Sequence, residues 1–303
     1  MEDPKISDTD RALGFTIPAR HARGRIVRLG PALDAVLAAH AYPPPIERLL
    51  AEALTLAALL GSTLKDAGGQ LTLQAQTESG VVKLLVCDYR GGDLRGYVQY
   101  DADRLAEGPE DPTLFALFGT GYLAVTFDQA ATNERYQGIV PLDGETLADA
   151  AQSYFVQSEQ IPSLIRLGIR RRPDGRHVAG GLFLQHLPEG EDGRERLHVR
   201  LDHPEWEHVA ILGQTMGADE LADQALPLET LVWRLFNEED EVRLLSQVAL
   251  ARGCRCSPEH IAGVLAQFPV EEQREMADAD GLIHVDCQFC ATSFPVPAGA
   301  LAS

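Results

Sequence analysis

Cys254-Arg255-Cys256, followed after residues 257–286 by Cys287-Gln288-Phe289-Cys290, is the stretch around which the rest of this chain organises. Two close thiol pairs at the end of a reduced chain read as a metal site, because zinc takes four tetrahedral sulfur ligands. A CxxC turn presents two thiolates to one ion. A CxC pair is less usual in structural zinc sites, so the combination is more specific than two CxxC knuckles. The expected ligands are Cys254, Cys256, Cys287 and Cys290. The fifth cysteine, Cys87, lies in a β-rich run, Val81 to Cys87, and reads as a small buried hydrophobe.

Composition limits what such a site can serve. The chain has 303 residues, 45% hydrophobic and 23% charged, enough to bury a core without disulfides. Lys and Arg number 26 against 45 Asp and Glu, a formal charge of −19. That balance argues against nucleic acid as a partner, since phosphate attraction drives such binding. The longest apolar run, within Ala53 to Leu64, is too short for a membrane span. Met1 to Arg11 is polar and acidic, unlike a signal peptide, so a cytoplasmic protein with reduced thiols is expected. Gly119-Thr120-Gly121 lacks the further glycines or lysine of a nucleotide loop, and no Gly-x-Ser-x-Gly elbow occurs. Neither a nucleotide cofactor nor an enzymatic activity is expected.

Upstream of the cysteines the periodicity changes twice. Leu71 to Ala75 and Val81 to Cys87, joined by Glu78-Ser79-Gly80, read as a β-hairpin. Further strands are expected at Arg25–Leu29, Leu94–Tyr100, Tyr122–Phe127, Tyr136–Pro141, Leu164–Arg170 and Gly181–His186. Helices are expected at Ile46 to Lys65, with one apolar stripe, and at Thr146 to Glu159. This mixture predicts an α+β core over residues 1–190. Pro188 to Glu195 reads as a linker or loop tip, and beyond it the strand signal fades. Residues 191–236 are expected to be a mainly helical linker region. In Pro227 to Asp240, Leu228, Leu231, Val232, Leu235 and Phe236 form an apolar stripe with Trp233 well off it. Residues 237–303 are expected to form the small zinc-binding domain, with helices starting at Ser257-Pro258 and Pro269. His203, Glu205, Glu207 and His208 lack a His-Glu-x-x-His pattern and read as a helix start rather than a second metal site.

The spacing alone leaves two readings of the cysteines, a permanent staple and a switch. Two points favour the switch. An end region this small has a marginal core, so a structural zinc would carry its stability, on the order of 10 kcal/mol or more. Zinc also holds sulfur as thiolate, the form that oxidants attack, with a second thiol close by in each pair. For Cys254 and Cys256 bridging demands a turn, because in an extended strand their Cα atoms stand near the limit of about 6.8 Å.

With these residues the chain resembles the redox-regulated heat-shock chaperones of about 33 kDa, the 33-kDa chaperonin family. The resemblance rests on the cysteine arrangement and on Gly119-Thr120-Gly121-Tyr122, Glu134-Arg135-Tyr136-Gln137-Gly138, Tyr154-Phe155, Ser158-Glu159-Gln160-Ile161-Pro162 and Val232-Trp233-Arg234-Leu235. It runs from about Gly24 to Val296, and Met1 to Ala22 and Glu189 to Glu195 look like additions. The resemblance implies an ATP-independent holdase that is inactive when reduced and zinc-bound. By position it implies disulfides Cys254–Cys256 and Cys287–Cys290 in the oxidised form, with zinc released. It implies unfolding of the end domain and linker, exposure of apolar surface to unfolded client proteins, and a homodimer when oxidised. Leu228, Leu231, Val232, Trp233, Leu235 and Phe236 are the candidate client-binding surface. Ala291 departs from the family pattern, since a glycine after the second CxxC cysteine eases the knuckle turn. Two other functions fit parts of the sequence: a thiol–disulfide oxidoreductase built on Cys287 and Cys290, and an acidic scaffold with a purely structural zinc.

Overall fold

The computed structural model describes residues 9–66, 68–187 and 203–298. The first elements are β1 (Arg11–Ile17), β2 (Ala22–Leu29), α1 (Pro31–Leu37), α2 (Pro44–Gly61), β3 (Gln70–Gln76), β4 (Val82–Arg90) and β5 (Asp93–Tyr100). Next come α3 (Ala102–Ala106), α4 (Leu114–Phe118), β6 (Tyr122–Gln129), β7 (Glu134–Pro141), α5 (Leu147–Tyr154), β8 (Ser163–Arg171) and β9 (His177–His186). Then come α6 (Pro204–Gln214), α7 (Ala218–Leu221), α8 (Leu228–Phe236), β10 (Arg243–Ala249) and β11 (Ala251–Arg252). The end of the chain adds α9 (Pro258–Leu265), α10 (Val270–Met276), β12 (Leu282–Asp286) and β13 (Ser293–Pro297).

The fold is α+β. One sheet runs β10-β1-β2-β9-β8, the other β11-β5-β4-β3-β6-β7, and β12 pairs with β13 alone. Pro43, Pro44 and Pro45 set the start of α2, where missing N–H groups cost nothing. The expected single stripe on this helix is too narrow a description. Ala51, Leu56, Ala58 and Leu59 are buried along with Leu50, Ala53, Leu54, Ala57 and Leu60. Unbroken burial over residues 53–61 suits a position between two layers, and α2 packs on strands of both sheets to make one shared core. Thr146 caps α5 through a reciprocal pair of bonds with Asp149. Cys87 is fully buried in this core, and burial pushes its thiol well up.

Three stretches differ from the sequence expectation. Residues 11–22 are part of the sheet rather than an addition: Leu13, Phe15 and Ile17 of β1 are buried. Gly14 interrupts the strand pattern there and hides it. The strand signal does return after residue 195, as β10 on β1 and β11 on β5. In β10 nearly every residue is exposed, so the alternation that marks a strand is absent. Residues 243–252, expected with the cysteine end, therefore pair with the two sheets. Pro188 to Glu195 and Met1 to Asp8 lie outside the described residues.

The linker helices cover the other face of the first sheet. Leu13, Phe15, Ile17, Ile26, Leu182 and Leu184 meet Trp206, Val209, Leu221, Leu228, Leu231, Val232 and Phe236 in a second core. Two devices bring α7 close. A Cβ on Gly168 or Gly180 would lie 2.0 Å from the carbonyl oxygen of Ala218 or Leu221, so the helix backbone rests directly on the strands. The fully buried Arg28 guanidinium donates to the carbonyls of Glu220, Leu221 and Leu226, satisfying the open end of α7 with positive charge.

Candidate metal centre

The four cysteines converge. Their sulfurs all lie within 4.8 Å of one another, with Cys254–Cys256 at 3.2 Å, Cys256–Cys290 at 3.4 Å and Cys254–Cys287 at 3.6 Å. Sulfurs at the corners of a tetrahedron around an ion about 2.3 Å away stand about 3.8 Å apart, so the cluster is near that shape. Cys254 and Cys256 sit in an irregular segment that turns both sulfurs to one side. Cys287 and Cys290 sit in a tight turn after β12, where the Cys290 and Ala291 amides both donate to the Cys287 carbonyl. Among the described residues, no other set of three or more His, Cys, Asp or Glu side chains could hold a metal ion.

The electrostatics suit a cation. Burial, followed by the neighbouring thiols, pushes Cys256 up. Burial also pushes Cys287 up, against bonds from the Phe289 and Cys290 amides. Burial opposes ionisation of Cys290 as well, but hydrogen bonds from Thr292, Cys256 and Cys287 prevail and bring it to about 6. Left to themselves, Cys256 and Cys287 resist ionisation beside a Cys290 that favours it. A soft dication would remove that conflict.

Ala291 closes the knuckle at φ 56°, in the left-handed region that a β-carbon disfavours by about 1–2 kcal/mol. The glycine expected there is missed in backbone energy. Ala291→Gly is expected to tighten metal retention roughly fivefold, from about 1 kcal/mol of relieved strain. Competition with a chromogenic chelator reads this directly, and an unchanged affinity would mean that the turn relaxes at no cost.

The residues between the cysteines seat the cluster on the core. Arg255 donates to Gln70 at 2.7 Å and to Asp88 at 2.9 Å. Phe289 meets Tyr97 edge-on at 4.9 Å, and the Arg95 guanidinium lies 3.9 Å above its ring. Asp88, itself buried, also accepts from Arg95 and Thr72. The Gly253 amide donates to the Leu94 carbonyl, extending β11 along β5 up to the first cysteine. Nothing local in the sequence marks Arg255 and Phe289 for this role, because their partners are more than 160 residues away. Asp88→Asn removes the charge that two arginines share. The expected result is roughly thirty-fold or more faster loss of free thiols under dilute peroxide, from about 2–3 kcal/mol of weakened seating. Timed thiol titration measures it, and an unchanged rate would mean that the seat does not protect the sulfurs.

The apolar stripe of α8 is buried at Leu228, Leu231, Val232, Leu235 and Phe236, while Trp233 is 66% exposed. His203 accepts a bond from the Glu205 amide at the start of α6. Glu205 and Glu239 both accept from Arg20, and His208 bonds Glu239, so these groups tie α6 to the end of α8. No helix of the described residues is long and apolar enough to cross a membrane.

The family model described as "Hsp33 protein" matches residues 10–296. The chain belongs to the Hsp33 family. Relatives named "33 kDa chaperonin" include one from Caulobacter vibrioides, 43% identical over 299 residues and covering 96% of each chain. Another, from Pseudomonas fluorescens, is 39% identical over 286 residues, 93% of this chain and 89% of that one. The crystal structure of the Hsp33 homologue of Thermotoga maritima shares the fold, with a TM-score of 0.77 at 24% identity over 96% of both chains. The Hsp33 match begins ahead of Gly24, in agreement with the place of β1 in the sheet.

Proposed function

We propose that this chain is a redox-switched holdase: reduced, it is silent; oxidised, it holds unfolding proteins without ATP. The observation that carries the reading is the seat of the cysteine cluster. One short stretch joins its sulfurs to β11, to β10 and so to the linker that covers the apolar face of the first sheet.

Zinc would be held by Cys254, Cys256, Cys287 and Cys290 and would keep all four sulfurs as thiolates. A peroxide takes two electrons from each pair. A sulfenic acid forms first, the neighbouring thiol attacks it, and one S–S bond and water result. The pairs are Cys254–Cys256 and Cys287–Cys290, supported by each pair's place in a single loop. Four sulfurs tied in two bridges no longer offer four donors. The end region then loses its fold, because its own core is only Ile261, Leu265, Ile283 and Val296. Arg255 and Phe289 leave Asp88, Tyr97 and Arg95, and the linker follows. Leu228, Leu231, Val232, Leu235 and Phe236 become available beside Trp233 as surface for clients with exposed apolar segments. The same surface accounts for a homodimer in the oxidised state. A cytoplasmic location fits this reading, because the thiols must start reduced. The role is binding rather than catalysis.

Light scattering of a heat-unfolded client tests this. Peroxide-treated protein is expected to suppress scattering at near-stoichiometric ratio, and reduced, zinc-loaded protein is not. Equal behaviour of the two forms would make the metal a permanent staple.

A further inference from the structure

Resting on the holdase reading, we infer that the edge of β1 is a docking site for extended client segments, and that β10 holds this place in the resting state. Oxidation frees β10, and a stretch of unfolded client adds to β1 as a strand.

Three observations lead there. First, β10 is an edge strand with little to hold it besides its backbone ladder. Arg243 to Gln247 are all exposed, with Leu244 at 50% and Leu245 at 41%. Its side-chain ties are Gln247, which accepts from Arg11 at 2.9 Å and donates to Glu229 at 3.4 Å, and the partly buried Val248 against the first core. The pairing is also irregular, with the register shifting between Leu13 and Phe15. A regular occupant could form a better ladder than the resident one.

Second, β10 is connected directly to the sulfurs. Residues 250–253 alone separate it from Cys254, and they run along the second sheet through β11. Loss of the cysteine fold removes the anchor at the end of this short tether.

Third, β1 combines what an unfolded chain needs. Its open edge would offer backbone N–H and C=O groups, which pair with any extended peptide regardless of sequence. Its Leu13, Phe15 and Ile17 side chains lie in the core shared with the linker helices, with Phe15 against Phe236 of α8 at 5.8 Å between ring centres. Departure of the linker and of β10 thus uncovers an apolar face and a hydrogen-bonding edge on the same strand. Backbone recognition suits a holdase, whose clients share a peptide chain and apolar segments but no motif. Arg243-Leu244-Leu245-Ser246-Gln247-Val248-Ala249 contains neither glycine nor proline and is itself a model of such a segment.

A fluorescent peptide of sequence 243–249 tests this against the full-length protein. Oxidised protein is expected to bind it at least tenfold tighter than reduced protein. Excess peptide should cut suppression of client scattering by half or more. The same peptide carrying both Gln247→Pro and Val248→Pro, neighbouring positions that pair with Leu13 and Ala12, loses a ladder donor and should do neither. Amide exchange of residues 11–17 should rise on oxidation and fall again when client is added. If the oxidised protein suppresses scattering but the peptide neither binds nor competes, the docking site is overturned and the holdase reading stands. Protection of residues 11–17 that follows protein concentration without client would assign the edge to a second copy and also overturn it. Failure of the oxidised protein to suppress scattering at all would remove the holdase reading, and this inference with it.

Discussion

Chelation of the metal from the reduced chain is expected to unfold residues 254–298, loosen β10 and β11, and leave β2 to β9 folded. The end region buries four apolar side chains, Ile261, Leu265, Ile283 and Val296, about 6–12 kcal/mol of gross hydrophobic gain. So small a core does not hold a region of this size without a staple, so the metal decides whether it folds. The core around α2 has no such dependence, because one continuous apolar cluster joins both sheets. Amide exchange measures the outcome: protection lost across α9, α10, β12 and β13, and kept in β3, β4 and β9. Retained protection in β12 and β13 after chelation would overturn the expectation and with it the metal's part in the switch.

Gly180→Val is expected to release the linker without oxidation. The nearest atoms to a Cβ at Gly180 are all Leu221 backbone, the carbonyl oxygen at 2.0 Å and its carbon at 2.6 Å. Valine suits the strand itself, so the clash falls on α7 rather than on β9. Main chain cannot swing aside as a side-chain tip can, and overpacking of this kind costs about 1–3 kcal/mol or more. Lifting α7 also takes the Leu221 and Leu226 carbonyls away from Arg28 and leaves a buried cation short of partners. Trp206 is buried in the second core, so undocking should shift its emission to the red. The reduced variant should suppress client scattering to within a factor of about two of the oxidised parent, while keeping its metal. A silent variant with unchanged emission would show that linker docking does not hold the protein inactive.

Much of this was readable beforehand, for identifiable reasons. Cys254, Cys256, Cys287 and Cys290 were legible because ligand chemistry needs close pairs, and close pairs are local in sequence. The α8 stripe was legible because a helix that buries one face repeats with the helical period. Arg255, Phe289 and Asp88 were not, since a contact across most of the chain leaves no local periodicity. Gly168 and Gly180 were hidden for a related reason: a glycine needed for close approach looks the same as one needed for a turn. The exposed strand β10 carried no alternation at all. Its place became visible only once β1, itself interrupted by Gly14, was found in the sheet.

The tether between β10 and the cysteines also bears on how a client is let go. A strand joined to its own docking edge through residues 250–253 returns by an intramolecular step. Its effective concentration at β1 is of millimolar order once the cysteine fold re-forms and anchors it. A client segment bound at that edge more weakly than this is displaced by mass action alone. Reduction and metal rebinding would then supply the free energy for handover, and no nucleotide would be consumed.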